Sequence, residues 1–276
     1  MAVEPLILAL ETASRVGSVA LAVGPELLAE TTFSGPMQHS AEIFPTITTL
    51  LQRFARTPTQ IRQIHISIGP GSFTGLRIAV AIAKTMHLAN KTKIVPVNTL
   101  DVIAANVVNL TPQNPIKPCD APAHHYRRIA PLLDAKRGQF YTALFECLTT
   151  DAADTLKDHI PNPCNPPDIP PGATGHTWTK TRADSLMTTA QIIEQFTDSQ
   201  KQLCLLGDGL LYHQDKFQTA GIQILDPQYW SPKASNVHLL GWQKALAGQF
   251  ADPLTLTPHY VRLPEAEEKW LLRTPQ

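Results

Sequence analysis

The segment Gly69-Pro70-Gly71-Ser72-Phe73-Thr74-Gly75 sets three glycines and a serine between an apolar run ending at Ile68 and a long apolar stretch reaching Asn90. Glycines tolerate positive φ and let backbone amides approach a ligand, and a helix N-terminus adds a partial positive charge. Such a turn can hold a phosphate or a carboxylate. It is not a Walker A loop, because no Gly-Lys-Ser/Thr closes it, nor a dinucleotide fingerprint, because its third glycine falls one residue late. On physics alone a purely structural turn stands at least level with an anion site. Two acids sit in comparable places, in Glu11-Thr12-Ala13-Ser14 and in Gly207-Asp208-Gly209. An acid beside small hydroxyls can hold a metal-bound phosphate, though strand-end acids are mostly just solvated. If a nucleotide binds, Glu11, Thr12, Gly69, Gly71 and Ser72 are the residues expected to touch it.

Other chemistries lack their motifs. The ten histidines never stand four apart, which leaves no H-x-x-x-H or H-E-x-x-H zinc site. No G-x-S-x-G elbow occurs, and nothing near Ser72 supplies a base and an orienting acid. His39 reads as a capping or surface group. The four cysteines are widely and unevenly spaced, with no C-x-x-C pair. That argues against a disulfide framework and a zinc ribbon, and suits a reducing cytoplasm. With 23 basic and 23 acidic residues the net charge is zero, so any RNA contact is local or made by a partner. The apolar run Ile78–Ala83 stops at Lys84, far short of a membrane span. The acidic opening MAVEPLILALE reads as a strand rather than a signal peptide.

The elements that position these residues follow from periodicity. Leu6–Leu10, Gly17–Val23 and Leu27–Phe33 predict a three-stranded meander. In QHSAEIFPTITTLLQRFAR, Ile43, Phe44, Ile47, Leu50, Leu51 and Phe54 form a helical stripe. Ser40 is its expected N-cap, and Pro45 is expected to kink the first turn or mark the true start. Strands at Ile64–Ile68 and Ile94–Val97 alternate with helices at Leu76–Asn90 and Thr99–Val108, which implies parallel pairing in an α/β layer. A hairpin is expected over Ile129–Asp134 and Gln139–Cys147 around Lys136-Arg137-Gly138. A helix at Met187–Phe196, strands at Leu203–Leu206 and Ile222–Leu225, a helix at Ala234–Ala247 and an extended tail at His259–Arg262 complete the chain. Proline-rich stretches near 111–126 and 159–175 read as surface insertions. The helix beginning at Leu76 is apolar nearly all round, so it must be covered nearly all round. Two coverings stand even: its own domain, or its own sheet on one side and a second chain on the other.

Taken in order, LILALETASRVGSVAL, QHSAEIFPTI, IGPGSFTGLRIAVAIAKTMHLA, VPVNTLDVIA, PLLDAKRGQFYTALFE, LLGDG and PHYVR resemble the bacterial TsaB (YeaZ) proteins over most of the chain, the proline-rich stretches excepted. The resemblance implies an actin-like/sugar-kinase-like (ASKHA) α/β fold with two related halves, the second reduced. The expected division is 1–110 for the first half, 111–228 for the second, and 229–276 for a C-terminal helix and tail returning to the first. It implies a non-catalytic subunit in the synthesis of threonylcarbamoyladenosine (t6A) on tRNA. The implied partners are the paralogous TsaD as a heterodimer, the ATPase TsaE in a larger complex, and a second copy of the chain when TsaD is absent. tRNA is met through the complex, in the cytoplasm, and no cofactor is implied. The catalytic paralogue carries a metal-binding H-x-x-x-H where this chain has Thr99 and Ile103, neither able to ligate as histidine does. Family members usually have Asp where Glu11 stands, a change that keeps the charge and moves it by a methylene. Docking is expected through the helices Ser40–Arg56 and Leu76–Asn90, with Ile43, Ile47, Leu50, Leu76, Ala79, Ala83 and Met86 as contacts. The competing expectation is an ATP-dependent small-molecule phosphotransferase on the same fold, which needs a catalytic base that no motif supplies.

Overall fold

The computed structural model describes residues 4–36, 38–108, 128–148, 177–198 and 201–262; the two proline-rich stretches lie outside them. Strands β1 (Leu6–Glu11), β2 (Ser18–Val23) and β3 (Glu26–Thr32) form the expected antiparallel meander. Helix α1 (His39–Arg53), β4 (Ile61–Ser67), α2 (Phe73–Asn90), β5 (Lys93–Val97) and α3 (Thr99–Val108) follow. β4 pairs parallel with β1, and β5 parallel with β4, giving the sheet order β3-β2-β1-β4-β5. The second sheet repeats this plan. β6 (Arg128–Asp134), β7 (Gln139–Leu148) and β8 (Thr177–Thr188) make a second antiparallel meander, followed by α4 (Thr189–Phe196). β9 (Leu203–Leu206) and β10 (Ile222–Ile224) then add in parallel, giving β8-β7-β6-β9-β10. Two sheets of identical order and strand direction are the actin-like arrangement. The second is reduced: where α2 stands in the first, short 3₁₀ turns at Asp208–Leu210 and Gln214–Phe217 follow β9.

Alternation along the strands decides which helices cover which face. Leu6, Leu8, Leu10, Leu21, Ile64 and Ile66 join a core with α1 and α2. The opposite face, with Ala9, Ala20 and Val97, packs on α3 and on α5 (Ala234–Leu246). β1 is thus covered on both sides, and all six of its residues are buried. Small side chains on that second face let α5 lie close. At Gly241 a Cβ would strike the ring of His65 on β4. α3 is a wedge: Leu100, Ile103 and Ala104 enter the core of the second sheet, while Val102 and Ala105 face α5. α3, the last helix of the first half, therefore packs on β6 and β7 of the second sheet, and the returning helix α5 packs on β1, β2, β4 and β5 of the first.

Several elements differ from the sequence reading. α1 starts at His39, so Ser40 is inside the helix and is not its cap; Gln38 flanks the helix and contributes no side-chain cap. Its carbonyl instead accepts from the amides of Ala41 and Glu42. Pro45 lies well inside the helix and does not mark its start. His39 is 3 % exposed, with Nε2 2.9 Å from the Ser14 carbonyl oxygen, and is neither a cap nor a surface group. α4 begins at Thr189, two residues after the expected Met187, because Thr188 and Gln191 form a reciprocal capping box. β8 has no counterpart in the sequence reading. Among the described residues, no helix is long and apolar enough to cross a membrane.

Candidate functional site

The residues with chemical potential gather at the carboxyl ends of the parallel strands, the place where open α/β sheets bind ligands. Glu11 ends β1 and is fully buried. Its Oε1 accepts from the Ala13 amide at 2.6 Å, and its Oε2 accepts from the Ser67 hydroxyl. Burial lifts its pKa to about 7, and the hydrogen bonds only partly offset this. Thr12 is also buried, and its hydroxyl donates to the Gly75 carbonyl at 2.8 Å.

The glycine loop is moulded onto this turn. The Ser72 amide donates to the Ala13 carbonyl at 2.7 Å. The Ser72 side chain caps α2 by accepting from the Gly75 amide at 3.3 Å. A Cβ at Gly71 would strike Ala13, and one at Gly75 would overlap the Thr12 carbonyl oxygen. Gly69 has φ +121°, and a Cβ there would strike the His259 carbonyl of the C-terminal tail. The glycines at 71 and 75 thus let two loops touch, and the amides of Ala13, Ser72 and Gly75 are spent within the chain.

The second half copies this geometry. Asp134 ends β6 as Glu11 ends β1, and the Lys136 amide donates to Asp134 Oδ1 at 2.8 Å as Ala13 does to Glu11. Gly207 follows β9 as Gly69 follows β4, again with positive φ, and packs against Leu132. Asp208 approaches the first half: its Oδ2 accepts from the Arg15 amide at 3.3 Å. Burial raises its pKa to about 6. The Arg15 guanidinium donates to the Tyr212 hydroxyl at 2.9 Å. Sequence reading missed Arg15, Tyr212 and the role of Asp134. A signal for the duplication was available, in Ile68-Gly69-Pro70-Gly71 against Leu206-Gly207-Asp208-Gly209 and in the acids of Glu11-Thr12-Ala13 and Asp134-Ala135-Lys136.

A second junction ties the halves together away from these turns. Lys180 on β8 contacts Asp101 at 2.7 Å and Asp184 at 2.6 Å, and the Asn98 amide donates to Asp184. Burial alone would lower the lysine pKa; the two carboxylates outweigh it and hold the ammonium charged.

The expected docking residues divide by exposure. Ile43, Leu76, Ala79 and Ala83 are at 0 % and Leu50 at 2 %, all within the chain's own core. Their place is against the first sheet, where the small Ala79 and Ala83 let α2 lie close. Burial there removes these five from a partner's reach in this conformation. Ile47 and Met86 are half-buried at the margin. Outward from the same two helices point Phe44, 60 % exposed, and Leu88, 74 % exposed. Thr99 and Ile103 are both fully buried on α3. Among the described residues, no three His, Cys, Asp or Glu side chains gather as a metal-binding set.

Residues 26–270 match a family model described as TsaD: tRNA N6-adenosine threonylcarbamoyltransferase. The chain is 27% identical over 269 residues to the tRNA threonylcarbamoyladenosine biosynthesis protein TsaB of Bacillus subtilis (strain 168), covering 96% of this chain and 97% of that one. It is 28% identical to the Escherichia coli (strain K12) protein of the same name over 140 residues, 51% of this chain and 54% of that one. Among solved structures, YeaZ from Pseudomonas aeruginosa superposes with a TM-score of 0.64 at 17% identity, covering 93% of this chain and 99% of that one. These matches agree with the duplicated sheets and the paired glycine turns, and the chain belongs to the TsaB (YeaZ) family.

Proposed function

We propose that this chain is the non-catalytic subunit of the machinery that forms threonylcarbamoyladenosine on tRNA, working by docking the catalytic paralogue TsaD. The pathway follows from the family and from the names of its relatives. The observation that carries the non-catalytic part is the pair Thr99 and Ile103. The family resemblance implies that they take the places of the catalytic paralogue's metal histidines, and in this chain they are fully buried core groups. The strand-end turns support the same reading. Amides that would cradle a phosphate donate instead to Glu11, Asp134 and Asp208 of this chain. A nucleotide at Glu11, Thr12, Gly69, Gly71 and Ser72 would have to displace those bonds and meet two carboxylates. Calorimetric titration with Mg-ATP on the single chain tests this, and micromolar binding with turnover would favour the phosphotransferase.

Docking is assigned to the outward side of α1 and α2, with Phe44 and Leu88 as anchors and Ile47 and Met86 beside them. TsaE joins through the larger complex, and a second copy of the chain takes the same surface when TsaD is absent. A specific interface of ordinary size would bury roughly 1,200–2,000 Å² in total. Because Phe44 and Leu88 are exposed, Phe44→Glu and Leu88→Glu should leave circular dichroism native while abolishing capture by cognate TsaD. Retained capture by both variants would sink the docking assignment.

A further inference from the structure

The first turn of α2 and the tail beside it carry groups that docking through Phe44 and Leu88 does not use. Arg77 stacks on Phe73, with its guanidinium carbon 3.8 Å from the ring centroid, and its Nε donates to the Tyr260 hydroxyl at 3.2 Å. Tyr260 packs on Phe73 in turn, with ring centroids 5.1 Å apart. On the loop after β1 the Arg15 guanidinium is bound to Tyr212, which is 67 % exposed. The Ser72 amide bonds to the Ala13 carbonyl, which sets the loop that carries Arg15 against the start of α2. Arg262, two residues past Tyr260, donates to the Ala135 carbonyl and to Gln139, bringing the exposed turn of Lys136 and Arg137 to the same edge.

Charge on this rim is segregated. Glu11 is buried, Asp208 is half-buried beneath the Arg15 amide, and Asp134 is bonded by Lys136. The outward groups are arginines, a lysine and aromatic rings. A neutral chain thus concentrates cations and aromatics at one edge, with acids beneath them. An arginine beside the exposed Tyr212 ring, and a second arginine on the partly exposed Phe73 and Tyr260 rings, suit unpaired nucleobases, which stack on aromatic side chains and guanidinium planes while cations meet phosphates.

We propose that the rim formed by Arg15, Phe73, Arg77, Tyr212 and Tyr260 is a binding surface for single-stranded RNA. In the setting of the tRNA-modification reading, on which the biological source of the RNA rests, the unpaired loop of the tRNA substrate occupies it. This subunit then holds substrate as well as partner.

The test is fluorescence anisotropy of the full chain with a labelled, unstructured RNA and with the same strand annealed to its complement. The single strand should bind more tightly. Tyr212→Ser and Arg77→Gln should each weaken it about tenfold. The Arg77 change should also flatten the dependence of log affinity on log salt by about 0.7. Arg62→Gln, at the amino end of β4, should change nothing. Undetectable RNA binding at low salt, preference for the duplex, or equal losses from Arg62→Gln would overturn the proposal. So would rim variants that keep RNA affinity but lose TsaD capture, since the rim would then be a protein interface. Failure of both Phe44→Glu and Leu88→Glu to block TsaD capture would sink docking through α1 and α2 and leave the RNA result standing.

Discussion

At the scale of single residues the turn after β1 carries the sharpest consequences. Burial holds the Glu11 carboxyl at a pKa of about 7 in the folded chain, against an ordinary value of 4.5. The native chain therefore keeps a proton that the unfolded chain has lost between those values, and stability falls as pH rises through that window. The shift corresponds to about 3 kcal/mol when fully expressed. Glutamine mimics the protonated acid: its carbonyl can accept from the Ala13 amide while its amide donates to the Ser67 hydroxyl. The stability of the native sequence relative to Glu11→Gln should thus drop by about 2 kcal/mol from pH 5 to pH 8. Paired denaturant titrations measure this, and a difference independent of pH would show that Glu11 stays ionised. Gly75 supplies a steric prediction on the same turn. A methyl group at Gly75→Ala has no room against the Thr12 carbonyl, and should cost about 3 kcal/mol by the same titration. A loss below 1 kcal/mol would mean that the loops separate easily.

At the scale of elements, Pro45 is the clearest case of local chemistry overruled by its surroundings. Lying inside α1, it denies the Ala41 carbonyl an intrahelical partner. The helix survives because Ile43, Leu50 and Leu51 bury a stripe against the first sheet. Pro45→Ala should therefore stabilise the protein by about 1–2 kcal/mol, less than the full proline penalty because the unfolded chain also gains freedom. An unchanged or lower melting temperature would contradict this. The first half was legible in the sequence for the same reason that α1 tolerates proline: long stripes with clear periods dominate local exceptions. α3 appears at its expected bounds, and the parallel pairing of β1, β4 and β5 follows from the alternation of strand and helix. β8 was not legible, because register shifts against β7 near Thr142 and Leu144 break the two-residue period of that pair. The inward or outward sense of α2 was equally hidden. A helix apolar on nearly every side gives no clue to which side is the sheet, so core residues such as Ala79 and Ala83 passed for contacts. The outward Leu88 needed the structure. At the candidate site the glycines and Glu11 stood out by type, whereas Arg15 and Tyr212 meet only because the two halves face each other across 197 residues of sequence.

At the scale of the whole molecule, two helices that cross between the sheets, α3 and α5, bind them into one body. α3 belongs by sequence to the first half, yet Leu100, Ile103 and Ala104 fill the core of the second. α5 follows the second half in the chain, yet Ala234, Val237 and Leu240 cover Ala9 and Ala20 of the first. We propose that residues 1–110 and 111–228 are related halves in descent and geometry that fold as a single unit with the returning helix. A fragment ending at residue 110 would leave the α5 face of the first sheet open to water and an apolar side of α3 without its partner sheet, and burial of such surface is the main drive to fold. The intact chain should unfold in one transition, with coincident midpoints by far-ultraviolet circular dichroism and by tryptophan fluorescence, to which Trp178 and Trp230 of the second core and Trp242 on α5 contribute. The fragment 1–110 should show no cooperative transition. Lys180 offers an independent check at the junction. Lys180→Met leaves Asp101 and Asp184 without their shared cation, and should cost about 3–5 kcal/mol. Because the junction couples both sheets, that loss should shift both spectroscopic midpoints equally. Midpoints that separate, or a fragment that melts cooperatively on its own, would mean that each half carries its own stability and that the crossing helices merely join them.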